Sequence, residues 1–162
     1  MFASHTADDA EPGGALRGEQ ALAGRLRAVR LRVTRPRLRL LALLSEGRGH
    51  LSADDIVAAL QAQGRPLSRA AVYNILGTLV SHGLLMVTDA GPGRTLYEAF
   101  EHWHHHFVCQ SCGVILDVPC VVGESPCLLP DQIDAEVATA QVIFRGRCRD
   151  CVAHDTQRAS AG

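Results

Sequence analysis

The sequence predicts an α+β protein in two parts: helices and a β-hairpin come first, and a small sheet that carries four paired cysteines follows. Apolar residues recur at helical spacing between residues 34 and 83 and at strand spacing from residue 84 onward. Charge divides the chain in the same way. Residues 25–80 hold ten arginines against three acids, whereas residues 98–162 hold four arginines against nine acids. The basic part is therefore expected to meet a polyanion.

Three helices are predicted in the first part, in TRPRLRLLALLSEG, SADDIVAALQAQG and SRAAVYNILGTLVSHG. Ser52 and Ser68 precede the second and third apolar stripes and are placed to cap them, and Asp55 completes a capping box with Ser52. Gly64 and Gly83 follow the last apolar positions and are typical helix stops. The second and third segments therefore each have a predicted start and a predicted end.

Two strand-like runs, LLMVT and RTLYEAF, flank DAGPG and predict a hairpin. Three helices followed by a hairpin describe a winged helix-turn-helix. Further strands are predicted in HHFVC, GVILDVPC and EVATAQVIFRGRC, whereas VVGESPCLLPDQ predicts a loop with at most one short helix. The expected organisation is a disordered N-terminus over 1–18, a winged-helix domain over 19–100, a second domain over 101–155 and a flexible tail over 156–162.

Composition favours an intracellular globular protein. Hydrophobic residues make up 47% of the chain and charged residues 20%. No apolar run is long enough to cross a membrane, and the start lacks the pattern of a secretory signal. We therefore expect a cytoplasmic location without membrane association, where paired cysteines more often bind metal than each other.

Two C-x-x-C pairs, 35 residues apart, predict a structural zinc site. Each pair follows strand-like sequence at an expected turn, for which Gly113 and Gly146 are suited. Four thiolates form a closed tetrahedral Zn(II) site that leaves no position open for chemistry. The alternatives are a redox dithiol and a chance pairing. The four ligands are Cys109, Cys112, Cys148 and Cys151.

The stretch EHWHHHFVCQSCG holds four of the eight histidines. If it is extended, alternation puts His104 and His106 on one face and His105 on the other. Imidazoles combined with carboxylates suit Fe(II), Mn(II) or Zn(II). The alternative is a polar surface strand, and spacing alone does not bring more distant donors to this pair. Those candidate donors are His50, Glu98 and Asp117.

In combination, LRVTRPR, HLSADDI, VYNIL, HHHFVCQSCG and GRCRDC resemble the ferric uptake regulator (Fur) family over about residues 20–152. The resemblance implies a winged-helix domain and an α/β dimerisation domain. It also implies a homodimeric repressor, not an enzyme, that binds a pseudo-palindromic operator in double-stranded DNA when loaded with metal. The structural zinc would fall on the four cysteines. The regulatory metal would fall on His50, Glu98, His104, His106 and Asp117.

Asp117 and the stretch CVVGESPCL resemble the actinobacterial FurA/CatR branch of that family, the PerR-like catalase regulators. This resemblance implies a peroxide-sensing repressor of catalase and oxidative-stress genes. Fe(II) or Mn(II) would be its regulatory metal, for which Zn(II) can substitute, and His50 and His104 would be the oxidation targets. The alternative is an iron- or zinc-homeostasis regulator of the same family. Ala99, where zinc-uptake members carry a cysteine, argues against zinc sensing.

Other positions remain open at the level of sequence. A further metal site of some family members would involve His105 and Glu124, but Trp103 replaces one of its histidines. Cys120 and Cys127 are buried small side chains, auxiliary thiols or packing partners.

Arginines before and within the second predicted helix suit phosphate contacts, and the start of the third helix suits contacts with base edges. The alternatives are a solvated helix face for the arginines and a core position for the tyrosine. A metal-dependent enzyme and a zinc-ribbon adaptor are the rival classes of function. The candidate DNA contacts are Arg25, Arg35, Arg37 and Arg39 for phosphates, and Arg69 and Tyr73 for bases.

Overall fold

The computed structural model describes residues 12–46, 49–122, 134–137 and 140–159, which form two compact units. The first unit runs to Met86 and includes Tyr97–Ala99. The second unit holds Val87–Leu96 and the described residues from Phe100 onward. Helices and two separate sheets confirm the predicted α+β class.

The first unit contains four helices, one more than the sequence predicted. They are α1 (Pro12–Ala28), α2 (Arg35–Glu46), α3 (Ala53–Ala62) and α4 (Arg69–Ser81). Helices α2, α3 and α4 match the predicted segments. Helix α1 begins inside the stretch 1–18 for which the sequence predicted a disordered N-terminus. Residues 1–11 lie outside the described part.

The capping residues read from the sequence are confirmed. The Asp55 backbone N–H donates to Ser52 Oγ at 3.1 Å, and the Ser52 N–H donates to the Asp55 carboxylate at 3.0 Å, which completes the capping box. At α4 the Ala71 N–H donates to Ser68 Oγ at 3.2 Å. Gly64 and Gly83 both have φ +67°, the left-handed conformation that glycine adopts without a steric penalty.

A single leucine-rich core joins these helices. Helices α2, α3 and α4 present apolar stripes to one another, α1 adds Leu26, and strand β1 (Leu85–Asp89) closes the cluster with its first residue. Burial of such side chains is the main stabilising term of a small helical unit. The fully buried members are Leu26, Leu40, Leu41, Ile56, Leu60, Val72, Leu76 and Leu79.

Strand β1 pairs with β2 (Thr95–Ala99) to form the predicted hairpin, or wing. Its outer part, Val87–Leu96, belongs to the second unit. Two side chains of that unit donate hydrogen bonds to backbone carbonyls of β1. Gln141 Nε2 donates to Val87 O at 2.9 Å, and Arg145 Nη2 donates to Asp89 O at 3.0 Å. The boundary between the two compact units therefore falls within the hairpin. The domain boundary that the sequence predicts at residue 100 remains a prediction.

The second sheet has three strands in the order β4-β3-β5. Strand β3 (His104–Cys109) is central, β4 (Ile115–Pro119) is antiparallel to it and β5 (Ile143–Gly146) is parallel. Strand β5 covers only the end of the longer stretch predicted to be extended. The loop expected in VVGESPCLLPDQ lies largely outside the described residues.

Helix α5 (Arg149–Ala159) follows β5 and was not predicted. It includes residues 156–159, which the sequence placed in a flexible tail over 156–162. Its sequence is mostly polar, so it lacks the apolar stripe by which the other helices were found.

Candidate metal centres

The first C-x-x-C pair lies in a tight turn after β3. The Gly113 N–H donates to Cys109 O at 2.9 Å, and the Cys109 N–H donates to Val114 O at 2.9 Å. Gly113 has φ +74°, which confirms that glycine is needed in this turn. Gly146 ends β5 and has a different role, because a Cβ there would lie 3.3 Å from the Phe107 ring.

The second pair lies at the start of α5 rather than in a simple turn. Cys148 precedes the helix and Cys151 lies in its first turn. The Gln110 N–H donates to Gly146 O at 2.7 Å, which joins the two ends of the site. Arg147 bridges back to the Cys151 carbonyl at 2.8 Å and pairs with Asp155.

The four sulfur atoms have the spacing of a tetrahedral zinc site. All four lie within 4.8 Å of one another. Cys109 Sγ is 3.9 Å from Cys151 Sγ, and Cys112 Sγ is 3.7 Å from Cys148 Sγ. Zn–S bonds of about 2.3 Å at tetrahedral angles give sulfur separations of roughly 3.8 Å. The donor set therefore fits Zn(II) and leaves no position open for a substrate.

Backbone N–H groups prepare one of these thiols for metal. Hydrogen bonds from the backbone of Cys112 and then of Cys148 lower the pKa of Cys109 to about 5. Hydrogen bonds with the side chains of Cys148 and Cys112 raise the pKa of Cys151 to about 12. Without metal, Cys109 is a thiolate at neutral pH while Cys151 keeps its proton, and zinc must displace that proton on binding.

In the first unit, a short bridge brings His50 to Glu98. Leu51 and Tyr97 exchange two backbone hydrogen bonds, of 3.0 and 2.8 Å, in an isolated antiparallel bridge. The neighbours of that pair are held side by side, so His50 Nε2 lies 3.2 Å from Glu98 Oε2. Both side chains are about 10% exposed. One imidazole and one carboxylate are thus assembled inside this unit.

In the second unit, strand geometry assembles three more donors. His104 and His106 share a face of β3 as alternation predicted, and their Nε2 atoms are 3.1 Å apart. Asp117 lies directly opposite His106 on β4, and its Oδ1 is 3.7 Å from His104 Nε2. Both histidines are buried, at 4% and 0% exposure, and Asp117 is exposed. The alternative of a polar surface strand is therefore wrong.

The histidine pair fits a divalent cation. Two imidazole nitrogens bound at about 2.0–2.1 Å to one ion lie roughly 3–3.4 Å apart, as these two do. His104 Nδ1 lies 3.0 Å from the His102 carbonyl, to which it donates when protonated. That bond selects the tautomer whose Nε2 lone pair is available to a metal.

The family of this chain follows from comparison with known proteins. Residues 28–121 match the family described as the ferric uptake regulator family. The chain belongs to the ferric uptake regulator (Fur) family. It is 40% identical over 139 residues to the transcriptional regulator FurA of Mycobacterium tuberculosis, covering 85% of this chain and 94% of that protein. It is 28% identical to the peroxide-responsive repressor PerR of Staphylococcus aureus, covering 82% and 90%.

Solved structures of the Fur family share the fold. The ferric uptake regulator of Pseudomonas aeruginosa with manganese aligns with a TM-score of 0.60 at 23% identity, covering 79% of this chain and 98% of that one. As a Fur-family protein the chain is a metal-dependent, DNA-binding transcriptional regulator and not an enzyme. The family's repressors act on operator DNA as dimers. None of the helices in the described part of the chain is long and apolar enough to traverse a bilayer.

The further metal site and the two additional cysteines considered from the sequence are only partly described by the structure. His105 is buried and its ring meets Trp103 edge-on at 6.2 Å, but it joins no cluster of three or more donors in the described ranges. Its expected partner Glu124 lies outside those ranges, as does Cys127. Cys120 is partly buried at the end of β4.

The candidate DNA-contacting side chains have varied surroundings. Tyr73 is 48% exposed on α4, so the alternative of a core position is wrong. Arg69 is exposed at the start of α4 and pairs with Asp54 of α3. Arg37 Nη1 donates to Arg32 O at 2.8 Å, and Arg25 Nη2 to Leu84 O at 3.5 Å. Arg35 is exposed and Arg39 is half-buried.

Two polar contacts had not been predicted: one at the histidine pair and one at the start of α4. Thr88 is fully buried and its Oγ1 lies 3.3 Å from His106. Asp54 had no assigned role before its ion pair with Arg69 was seen. Both depend on contacts between distant segments, and only the alternation of Thr88 with apolar neighbours in LLMVT would have marked it as facing inward.

Proposed function

We propose that this Fur-family regulator is a homodimeric repressor that binds a pseudo-palindromic operator when Fe(II) or Mn(II) occupies a regulatory site. One observation carries this proposal: each unit preassembles part of an imidazole–carboxylate donor set. The first unit holds its pair 3.2 Å apart, and the second holds its histidines 3.1 Å apart. The proposed ligands are His50, Glu98, His104, His106 and Asp117.

The chemistry of the donors supports the choice of metal. Three imidazoles and two carboxylates form a mixed nitrogen–oxygen set without a thiolate. Such a set suits Fe(II) and Mn(II), and Zn(II) can substitute in it. The four-cysteine site takes a separate, structural Zn(II).

Shared ligation would make DNA binding depend on metal. His50 and Glu98 belong to the unit that carries α4, the helix predicted to contact base edges, and the other three proposed ligands belong to the unit with the second sheet. An ion bound by the donors of both units would restrict the position of α4. A coupling free energy of about 1–3 kcal/mol is enough to change operator affinity roughly 5–150-fold.

An apolar row on the second sheet supports a second copy as partner. Phe107 lies opposite Leu116 on one side and Phe144 on the other. Leu116 is 48% exposed and Phe144 47% exposed, so two large apolar side chains of this row leave about half of their surface in contact with water. A dimer formed through this face with two-fold symmetry would present two copies of α4 to DNA. The two half-sites of a pseudo-palindromic operator are related by the same symmetry. A repressor that binds operator DNA would be located in the cytoplasm.

Peroxide is the signal we propose for release. When bound, Fe(II) activates hydrogen peroxide beside the ligand imidazoles. In the net reaction peroxide is reduced to water, while a ring carbon of His50 or His104 is oxidised by two electrons and gains one oxygen atom. An oxidised imidazole binds metal poorly, and the repressor leaves the operators of catalase and other oxidative-stress genes. The PerR relative and the carboxylate of Asp117 support this choice.

The test is to load the dimer with Fe(II) or Mn(II), add peroxide, and follow operator binding together with peptide masses. We expect release only of the Fe(II) form, with the mass of one oxygen atom added to the peptides that carry His50 or His104. Operator binding that survives peroxide but is abolished by a chelator would contradict peroxide sensing. It would instead support regulation by iron or zinc availability.

A further inference from the structure

Two consecutive acids at the start of α3 have different partners. Both lie in the first turn, where the partial positive charge of a helix N-terminus favours carboxylates. The carboxylate of Asp55 accepts a hydrogen bond from the Ser52 N–H at 3.0 Å and completes the capping box. The carboxylate of Asp54 instead accepts one from the guanidinium of Arg69. Asp54 therefore links the start of α3 to the start of α4.

Folding stability is a poor explanation of this ion pair. The side chains of Arg69 and Asp54 are 64% and 61% exposed, and ion pairs so open to water contribute little to folding. Arg69 is also the first residue of α4, where the helix dipole disfavours a cation, and the first turn of α4 holds no acid to offset it. The main effect of the Asp54 carboxylate is therefore to restrict where the guanidinium lies.

The guanidinium lies where a base contact is expected. Tyr73 follows Arg69 by four residues, and both are exposed on the same face of α4. In helix-turn-helix proteins, residues near the N-terminus of such a helix contact base edges in the major groove. The bond to Asp54 engages one Nη2 N–H of Arg69, and a guanidinium has five N–H donors. The others remain for a base, and guanine offers O6 and N7 to such a fork.

We propose that Asp54 is a positioning residue for DNA recognition: its carboxylate holds the Arg69 guanidinium so that α4 selects guanine in each half-site of the operator. This inference rests on the proposed operator binding and adds the base that is selected. The Asp54 carboxylate also repels the phosphates of any DNA sequence. Removal of its charge should therefore weaken selectivity without weakening DNA binding in general.

The experiment first selects operators from a randomised duplex pool with the Mn(II)-loaded, zinc-replete wild type. Fluorescence anisotropy then compares operator and random DNA for Asp54→Asn, Arg69→Ala, the double variant and Glu46→Gln. Asp54→Asn keeps the shape and removes the charge. We expect its ratio of operator to random-DNA affinity to fall roughly 2–20-fold, while its affinity for random DNA is equal to that of wild type or higher.

Two further comparisons test whether Asp54 acts through Arg69. In the Arg69→Ala background, Asp54→Asn should cause no additional loss of selectivity. Selection repeated with Arg69→Ala should lose one guanine from each half-site. Glu46→Gln removes an exposed acid of α2 in the same unit and should keep the wild-type ratio.

The outcomes separate this inference from the proposed function. An unchanged ratio in Asp54→Asn, a parallel loss of affinity for both DNAs, or an equal further loss in the double variant overturns the positioning role. Retention of every selected guanine by Arg69→Ala overturns the assignment of the base. If the wild type instead binds all duplexes equally, the proposed operator binding itself is contradicted.

Discussion

At the scale of single residues, hydrogen bonds decide which donor atoms are ready for metal. His104 Nδ1 faces a main-chain carbonyl, and its Nε2 faces His106. Cys109 receives backbone N–H groups and is a thiolate at neutral pH. Both arrangements exist before a metal binds, which lowers the cost of ordering the ligands when it arrives.

Cys109 gives the zinc site a specific dependence on pH. Its pKa is lowered from the ordinary value of 9.0 to about 5, so the stabilisation from its thiolate is present at alkaline pH and is lost as pH falls through about 5. We expect zinc to be held at neutral pH and released on acidification, because protons then compete with the metal for the four thiolates. Release is measured with a chromophoric chelator across a pH series.

Cys120→Ser is the control for this measurement, since Cys120 is not among the four clustered sulfurs. It should release zinc over the same pH range as wild type. Cys109→Ser should fail to retain zinc even at neutral pH. Zinc retention in Cys109→Ser would show that the ligand assignment is wrong.

At the level of secondary structure, a helix cap lies directly after the first donor pair in the chain. The capping box at Ser52 begins α3 two residues after His50, and the Leu51–Tyr97 bridge lies between them. Loss of a serine cap costs about 1 kcal/mol. We therefore expect Ser52→Ala to lower the free energy of unfolding of the zinc-loaded protein by about that amount, measured by urea denaturation.

Ser45 supplies a matched control for this cap. It also lies in the first unit, but its Oγ is buried without a hydrogen-bond partner. Ser45→Ala removes no hydrogen bond and relieves a desolvated hydroxyl, so stability should stay equal or rise. Equal destabilisation by Ser45→Ala and Ser52→Ala would contradict the capping argument.

Helix α4 is the element proposed to read bases. Arg69 lies at its exposed start, where the Asp54 carboxylate orients the guanidinium. We expect Arg69→Ala to reduce discrimination between operator and random DNA by about 1–3 kcal/mol, the usual value of a bidentate base contact. Fluorescence anisotropy with the Mn(II)-loaded dimer measures both affinities.

The matched control is Arg149→Ala, an exposed arginine of equal charge on α5 in the second unit. It should leave discrimination unchanged. If Arg69→Ala weakens operator and random DNA equally, the arginine contacts phosphate and the assignment to bases is wrong.

At the scale of the whole molecule, the features that were predictable are those encoded locally. Caps at Ser52 and Ser68, alternation along β3 and the C-x-x-C spacing each act over a few residues, and each is confirmed by the structure. Helices α1 and α5 were missed because their sequences lack a clear apolar stripe. Helix α1 contributes little more than Leu26 and Ala23 to the buried interior.

Long-range contacts could not be read from the sequence. The division of the hairpin between units depends on Arg145 and Gln141, which lie more than 50 positions from the carbonyls they bind. The opposition of His106 and Asp117 depends on a strand register that turn geometry fixes. For His50 and Asp117, two proposed ligands far from the histidine pair in the sequence, only resemblance to the Fur family suggested a role.

We propose that one cation takes ligands from both units. Mn(II) binding to the zinc-loaded protein, measured by electron paramagnetic resonance, tests this proposal in wild type, His50→Ala, His104→Ala and the double variant. His82→Ala, an exposed histidine at the end of α4, is the control and should match wild type. We predict that either ligand substitution weakens the same single Mn(II) site and that the double variant loses less than the sum of the two effects. Undiminished Mn(II) binding in His50→Ala, with binding lost in His104→Ala, would show that the cation is held by the second unit alone.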